Sequence, residues 1–217
     1  MARWCLIAGL ATVAVALSPP VDARADATLA AHMVQHVAMT MLAAPLLAAG
    51  LGSSWFARVK MPRVNPLVAW LLFAATGWLV HFTPLFQTAT ESLPVHMFEH
   101  AVLLGSGFVF WAQVVGPAAT MSYPLRLLYL VVAMPQNTFV ALAIFSTSRV
   151  LYPHYGSGPD ALADQRLGGG IMWVAGDLVL LAAVLIMAAG WARHEERQTK
   201  LSDDEKPACA FPEPPIS

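Results

Sequence analysis

The chain has 217 residues, 58% of them hydrophobic and only 12% charged, with a formal net charge of −1. Soluble domains carry about a quarter charged residues and nucleic-acid binders a basic footprint; a mean hydropathy of +0.61 fits neither. The composition is that of a polytopic membrane protein and excludes a disulfide scaffold or a disordered chain.

In residues 1–25, Arg3 precedes a short apolar run, Leu6–Leu17, followed by Pro19, Pro20 and Ala23-Arg24-Ala25. This is the layout of a signal peptide cleaved before Asp26, or else of an uncleaved sixth helix, and either one exports the stretch after it. A bilayer core about 30 Å thick takes roughly 20 apolar residues per helix. Five spans are accordingly predicted: Leu29–Leu51, Pro66–Phe82, Pro94–Val115, Pro124–Phe145 and Gly169–Trp191. Pro, Gly or charge bounds each one. Trp55, Trp70, Trp111, Trp173 and Trp191 fall towards the ends, as in an aromatic belt. The expected fold class is all-α, a membrane helix bundle over residues 26–192 followed by a charged, Pro-rich, disordered tail over 193–217.

Lys and Arg in short loops set orientation. Arg58, Lys60 and Arg63 follow the first span, Arg126 opens the fourth, and Arg193, Arg197, Lys200 and Lys206 follow the fifth. The alternate loops hold only Arg149 and Arg166, with Arg24 ahead of the first span. The C-terminus is therefore expected in the cytoplasm, with Ala27–Ala31, Thr83–Leu93 and Ser148–Gly168 facing outward. Cys5 and Cys209 form no expected disulfide, and the absence of a CxxC pair weighs against a thiolate metallochaperone.

That orientation places six of the seven histidines at one end. His32 and His36 open the first span, His81 closes the second, His96 and His100 open the third, and His154 lies in the last outward loop; His194 is cytoplasmic. The segments His32-Met33-Val34-Gln35-His36 and His96-Met97-Phe98-Glu99-His100 repeat one pattern. Residues i and i+4 share a helix face, so each pair aims two imidazoles one way, and two such helices side by side converge four. Met39, seven after His32, adds a thioether to that stripe. Imidazole suits copper, zinc, iron and nickel, and a thioether shifts the preference towards Cu(I). Gln35 and Glu99 are placed to orient the rings as outer-shell acceptors, and Glu99 is alternatively a ligand itself. His81 and His154, taken singly, are equally readable as interfacial residues.

Asp177, well inside the last span, costs at least about 2.5 kcal/mol unless paired or in a wet cavity, so it is expected to face the bundle interior, as a site carboxylate or a structural one. Pro135-Gln136-Asn137-Thr138 kinks the fourth span, and Gly168-Gly169-Gly170 opens the last span with room for close approach. Asp164 is expected either to cap that helix or to contact the site.

The order of these motifs resembles the polytopic CtaG-type cytochrome c oxidase assembly factors linked to caa-type oxidases. The resemblance rests on His32-Met33-x-x-His36 with Ala44-Pro45-Leu46-Leu47, on His96-x-x-Glu99-His100, on Leu151-Tyr152-Pro153-His154-Tyr155, and on Asp164-Gln165-x-Leu167-Gly168-Gly169-x-Ile171-Met172-Trp173. It covers residues 28 to 192. It implies a non-enzymatic role in oxidase maturation in the bacterial cytoplasmic membrane, with copper supplied to the catalytic subunit and cytochrome c oxidase subunits as partners. It carries a binding role onto His32, His36, His96 and His100, with Glu99, Asp164 and Asp177 in support. Three rivals stand beside it: a metal-free scaffold, a zinc enzyme built on the H-x-x-E-H pattern of His96, Glu99 and His100, and a bis-histidine haem protein.

Overall fold

The computed structural model describes residues 2–51, 64–116 and 119–204, and among them every regular element is helical. The helices are α1 (Ala2–Ala16), α2 (Pro19–Ala27), α3 (Leu29–Gly50), α4 (Pro66–Phe82), α5 (Pro84–Glu91), α6 (Leu93–Ala112), α7 (Tyr123–Ser146) and α8 (Gly158–Asp204). A 3₁₀ turn lies at Pro153–Tyr155. Expectations resting on Trp55, Arg58, Lys60, Arg63, Lys206 and Cys209 lie outside the described residues.

Proline opens many of these helices. Pro19, Pro66, Pro84, Pro94 and Pro124 occupy the first or second helical position, where the missing N–H costs nothing and φ is already set. Helices α3, α6, α7 and α8 are each long and apolar enough to cross a membrane. Two bent pairs, α1–α2 at 52° and α4–α5 at 65°, would each make one more span. The fold is an all-α polytopic bundle of four to six spans. Leu178, Leu185 and Ile186 on α8 are exposed, as lipid-facing residues are.

Helix α3 is continuous, but Ala38–Ala43 winds as a π-helix. In that register the residue at 45 would donate to the Thr40 carbonyl, and Pro45 has no N–H to give. Trp111 Nε1 donates to the Thr40 carbonyl instead, at 3.0 Å. This joins α3 to α6 where Gly107 lets the helices approach: a Cβ there would lie 3.2 Å from Ala44 Cβ and 3.3 Å from the Thr40 oxygen. Below this point Phe110, Trp111, Tyr129, Leu130 and Leu180 form the apolar core of one half of the bundle.

Helix α8 departs from the expected span at both ends. It begins at Gly158 rather than Gly169. The triple glycine is helix interior: a Cβ on Gly169 would lie 2.8 Å from Phe145 N, and one on Gly168 3.2 Å from Met33 Cγ. Those residues let α8 lie against α7 and α3 rather than starting the helix. At the other end, residues 193–204 are helical where a disordered tail was expected. They hold neither Gly nor Pro, and Trp191 Nε1 donates to Glu195 across one turn at 2.9 Å. Residues 205–217 lie outside the described residues.

Residues 2–27 pack on α3. A Cβ on Gly9 would lie 2.9 Å from Leu47 Cγ, and one on Gly50 would collide with the Leu6 backbone. Gln35, expected to orient a histidine, instead donates through Nε2 to the Ala16 carbonyl at 2.7 Å and to Asp22 Oδ1 at 3.3 Å.

Candidate metal centre

Helices α3 and α6, joined at Gly107, bring both histidine pairs to the same end of the bundle. His32 and His36 are buried on α3, and Glu99 and His100 on α6, with His96 half-buried. Ligand atoms of His32, His96, Glu99 and His100 all lie within 4.8 Å of one another. His36 adjoins them, its Nε2 lying 2.9 Å from His32 Nε2 and 3.8 Å from Glu99 Oε2. The His32 Nε2 to Glu99 Oε2 separation is also 3.8 Å. His81, at the end of α4, brings its ring centroid within 5.5 Å of that of His36. The side of the cluster towards α5 is closed by Phe86, fully buried, with its ring centroid 5.0 Å from His32.

The chemistry of this group lies in what it lacks. Buried side-chain nitrogens and oxygens without a hydrogen-bond partner include His36 Nδ1, His81 Nε2, His96 Nε2, both ring nitrogens of His100 and both oxygens of Glu99. Leaving one buried polar atom unsatisfied costs about 1–3 kcal/mol, and an unpaired buried carboxylate costs more. Clustered lone pairs of nitrogen and oxygen around one point can hold a cation, and this donor set suits a borderline metal.

Tyr155, in the 3₁₀ turn, joins the site although the sequence pattern does not single it out. Its hydroxyl lies 2.8 Å from His32 Nδ1, the outer-shell place expected of Gln35. Burial, reinforced by Glu99, pushes the Tyr155 phenol well above its usual range, so it keeps its proton. The sequence signal for it is the Leu151-Tyr152-Pro153-His154-Tyr155 motif, which carries the family resemblance without assigning this tyrosine a role.

The expected supporting residues separate. Asp164 neither caps its own helix nor touches the imidazoles. Its carboxylate accepts from the backbone N–H groups of Leu29, at 2.7 Å, and Ala30, at 3.2 Å, so α8 caps the start of the helix carrying His32. Asp177 accepts from Asn137 Nδ2 at 3.0 Å and Thr138 Oγ1 at 2.6 Å, a structural pairing of α7 and α8. His154 Nε2 lies 3.1 Å from Asp26 Oδ1, tying the 3₁₀ turn to α2. Met39 is fully buried in the π-helix, one residue after its start.

A vestibule reaches the cluster between α2, α5 and the start of α6. His32, His96 and Tyr155 line its floor, and Asp22, Asp26 and Glu91 its walls. Carboxylates beside a low-dielectric cleft concentrate cations at its mouth.

A family model described as cytochrome c oxidase caa3 assembly factor matches residues 2–194. The chain belongs to that family. Among curated proteins, the chain is similar to an uncharacterised protein of Mycobacterium bovis, 25% identical over 230 residues, which cover 91% of this chain and 35% of the relative. A Mycobacterium tuberculosis protein matches to the same extent. A Mycobacterium leprae protein is 29% identical over 142 residues, covering 61% of this chain and 22% of its own. The chain thus spans about a third of the length of the M. bovis and M. tuberculosis relatives. No solved structure matches it.

Proposed function

We propose that this member of the caa3 assembly factor family acts in cytochrome c oxidase assembly, holding copper among His32, His36, His96, His100 and Glu99 and supplying it to the catalytic subunit of the oxidase. The observation that carries the reading is Glu99. It is fully buried, neither of its oxygens has a hydrogen-bond donor, and one of them faces His32 and His36 at 3.8 Å. A carboxyl group in that setting is neutralised by a proton or by a cation, and the unpartnered imidazole nitrogens gathered around it favour the cation. Four surrounding imidazoles can hold one without a thiol, and they suit copper.

The loop charges support a position in the bacterial cytoplasmic membrane with the histidine end facing the periplasm. The acidic vestibule would then admit and release the ion on the side where His154 and Asp26 meet. The packing of α1 and α2 on α3 supports the six-span form of the bundle, with its N-terminal segment uncleaved. The position of Glu99 among imidazoles supports a ligand role over that of the water-activating base of a zinc enzyme. In this role the protein does no turnover chemistry: it binds, shields and passes on an ion.

The cellular test replaces the chromosomal copy with the His32→Ala/His96→Ala variant. Copper content and activity of the assembled oxidase should fall together, at unchanged levels of the variant protein. An oxidase with full copper and activity in that strain would leave only the scaffold reading.

A further inference from the structure

The cluster contains more ligands than a four-coordinate ion can take. A four-coordinate ion uses His32, His96, Glu99 and His100, whose ligand atoms converge. Two buried imidazoles, His36 and His81, remain over, with ring centroids 5.5 Å apart at 83°. Each has a ring nitrogen with no partner.

The state of His81 is fixed by its neighbour. Its Nδ1 lies 2.8 Å from the carbonyl oxygen of Gly77. A carbonyl only accepts, so Nδ1 carries the hydrogen and the neutral ring presents a bare lone pair at Nε2. That is how a metal-binding histidine is held: one nitrogen anchored to the backbone, the other free. No donor meets that lone pair, although His81 is only 4% exposed.

His36 and His81 also share a cavity that the first four ligands do not line. It has a volume of about 50 Å³, room for a few waters or an ion. Its walls include Thr40, Thr76 and Ser106, with the thioethers of Met41 and Met172. Thioether beside imidazole favours Cu(I), the preference that Met39 was expected to supply. Glu99 Oε2, 3.8 Å from both His32 Nε2 and His36 Nε2, faces both halves of the cluster.

We propose that the site holds two metal ions, the second bound by His36 and His81 over the cavity, with Met41 or Met172 as a soft ligand. This rests on the proposed copper site and extends it: an ion received through the vestibule moves one step inward to a position shielded from solvent.

The test is a titration of detergent-purified protein with Cu(I) under reducing conditions, with bicinchoninate as competitor to strip weakly held ions. Wild type should saturate at two equivalents, and His81→Gln and His96→Gln at one each. The equivalent kept by each variant shows that it is folded. Should His81→Gln fail to fold, the wild type and His96→Gln suffice, since a single site predicts one equivalent falling to none. Saturation of wild type at one equivalent overturns the second site and leaves the copper reading standing; no retained copper in wild type overturns both.

Discussion

The hydroxyl of Tyr155 lies 2.8 Å from Nδ1 of His32, joining the turn before α8 to a histidine of α3. With Nε2 turned towards His36 and Glu99, that contact fixes the ring from behind. Outer-shell partners of this kind typically contribute 10- to 100-fold to metal affinity. Tyr155→Phe should therefore retain copper but bind it at least about tenfold more weakly in competition with bicinchoninate, at unchanged thermal stability. Equal affinity would show that the phenol does not orient the ligand.

The capping of α3 by Asp164 makes a separate prediction. Two backbone N–H groups rely on this carboxylate, and loss of such a cap costs about 0.5–2 kcal/mol. Asp164→Ala should lower the thermal midpoint in detergent, while Asp164→Asn, which keeps one acceptor oxygen, should lower it less. Copper stoichiometry should survive in both. Loss of bound copper at full stability would instead make Asp164 a ligand.

Gly169 and Gly105 provide a matched pair for packing. A Cβ on Gly169 meets the α7 backbone at 2.8 Å, whereas one on Gly105 meets nothing within 4 Å. Overpacking of this kind costs about 1–3 kcal/mol. Gly169→Ala should destabilise the bundle clearly, and Gly105→Ala should be neutral or slightly stabilising as helix propensity improves. Equal midpoints for the two variants would refute the close packing of α7 on α8.

Much of this is legible in the sequence because membrane spans are written in long apolar runs and the two His pairs in i, i+4 spacing. The runs place α3, α4, α6, α7 and α8, and the pairing of His32 with His36 and of His96 with His100 places four imidazoles in one cluster. What escapes is tertiary. Asp164 caps a helix 135 positions away in the chain, and no local pattern announces that. Gln35 is drawn to α1 and α2 because the N-terminal segment packs there. The close approach permitted by Gly168-Gly169-Gly170 is legible, but the same glycines also read as the start of a helix that in fact begins at Gly158.

The most direct test of the central claim is metal content per chain, measured by mass spectrometry on protein purified in detergent without chelator. The wild type should retain copper, and the His32→Ala/His96→Ala double variant should retain clearly less, having lost the ion held at those two histidines, while eluting as the same folded species. Copper absent from the wild type, or retained undiminished in the double variant, would contradict a copper site at this cluster.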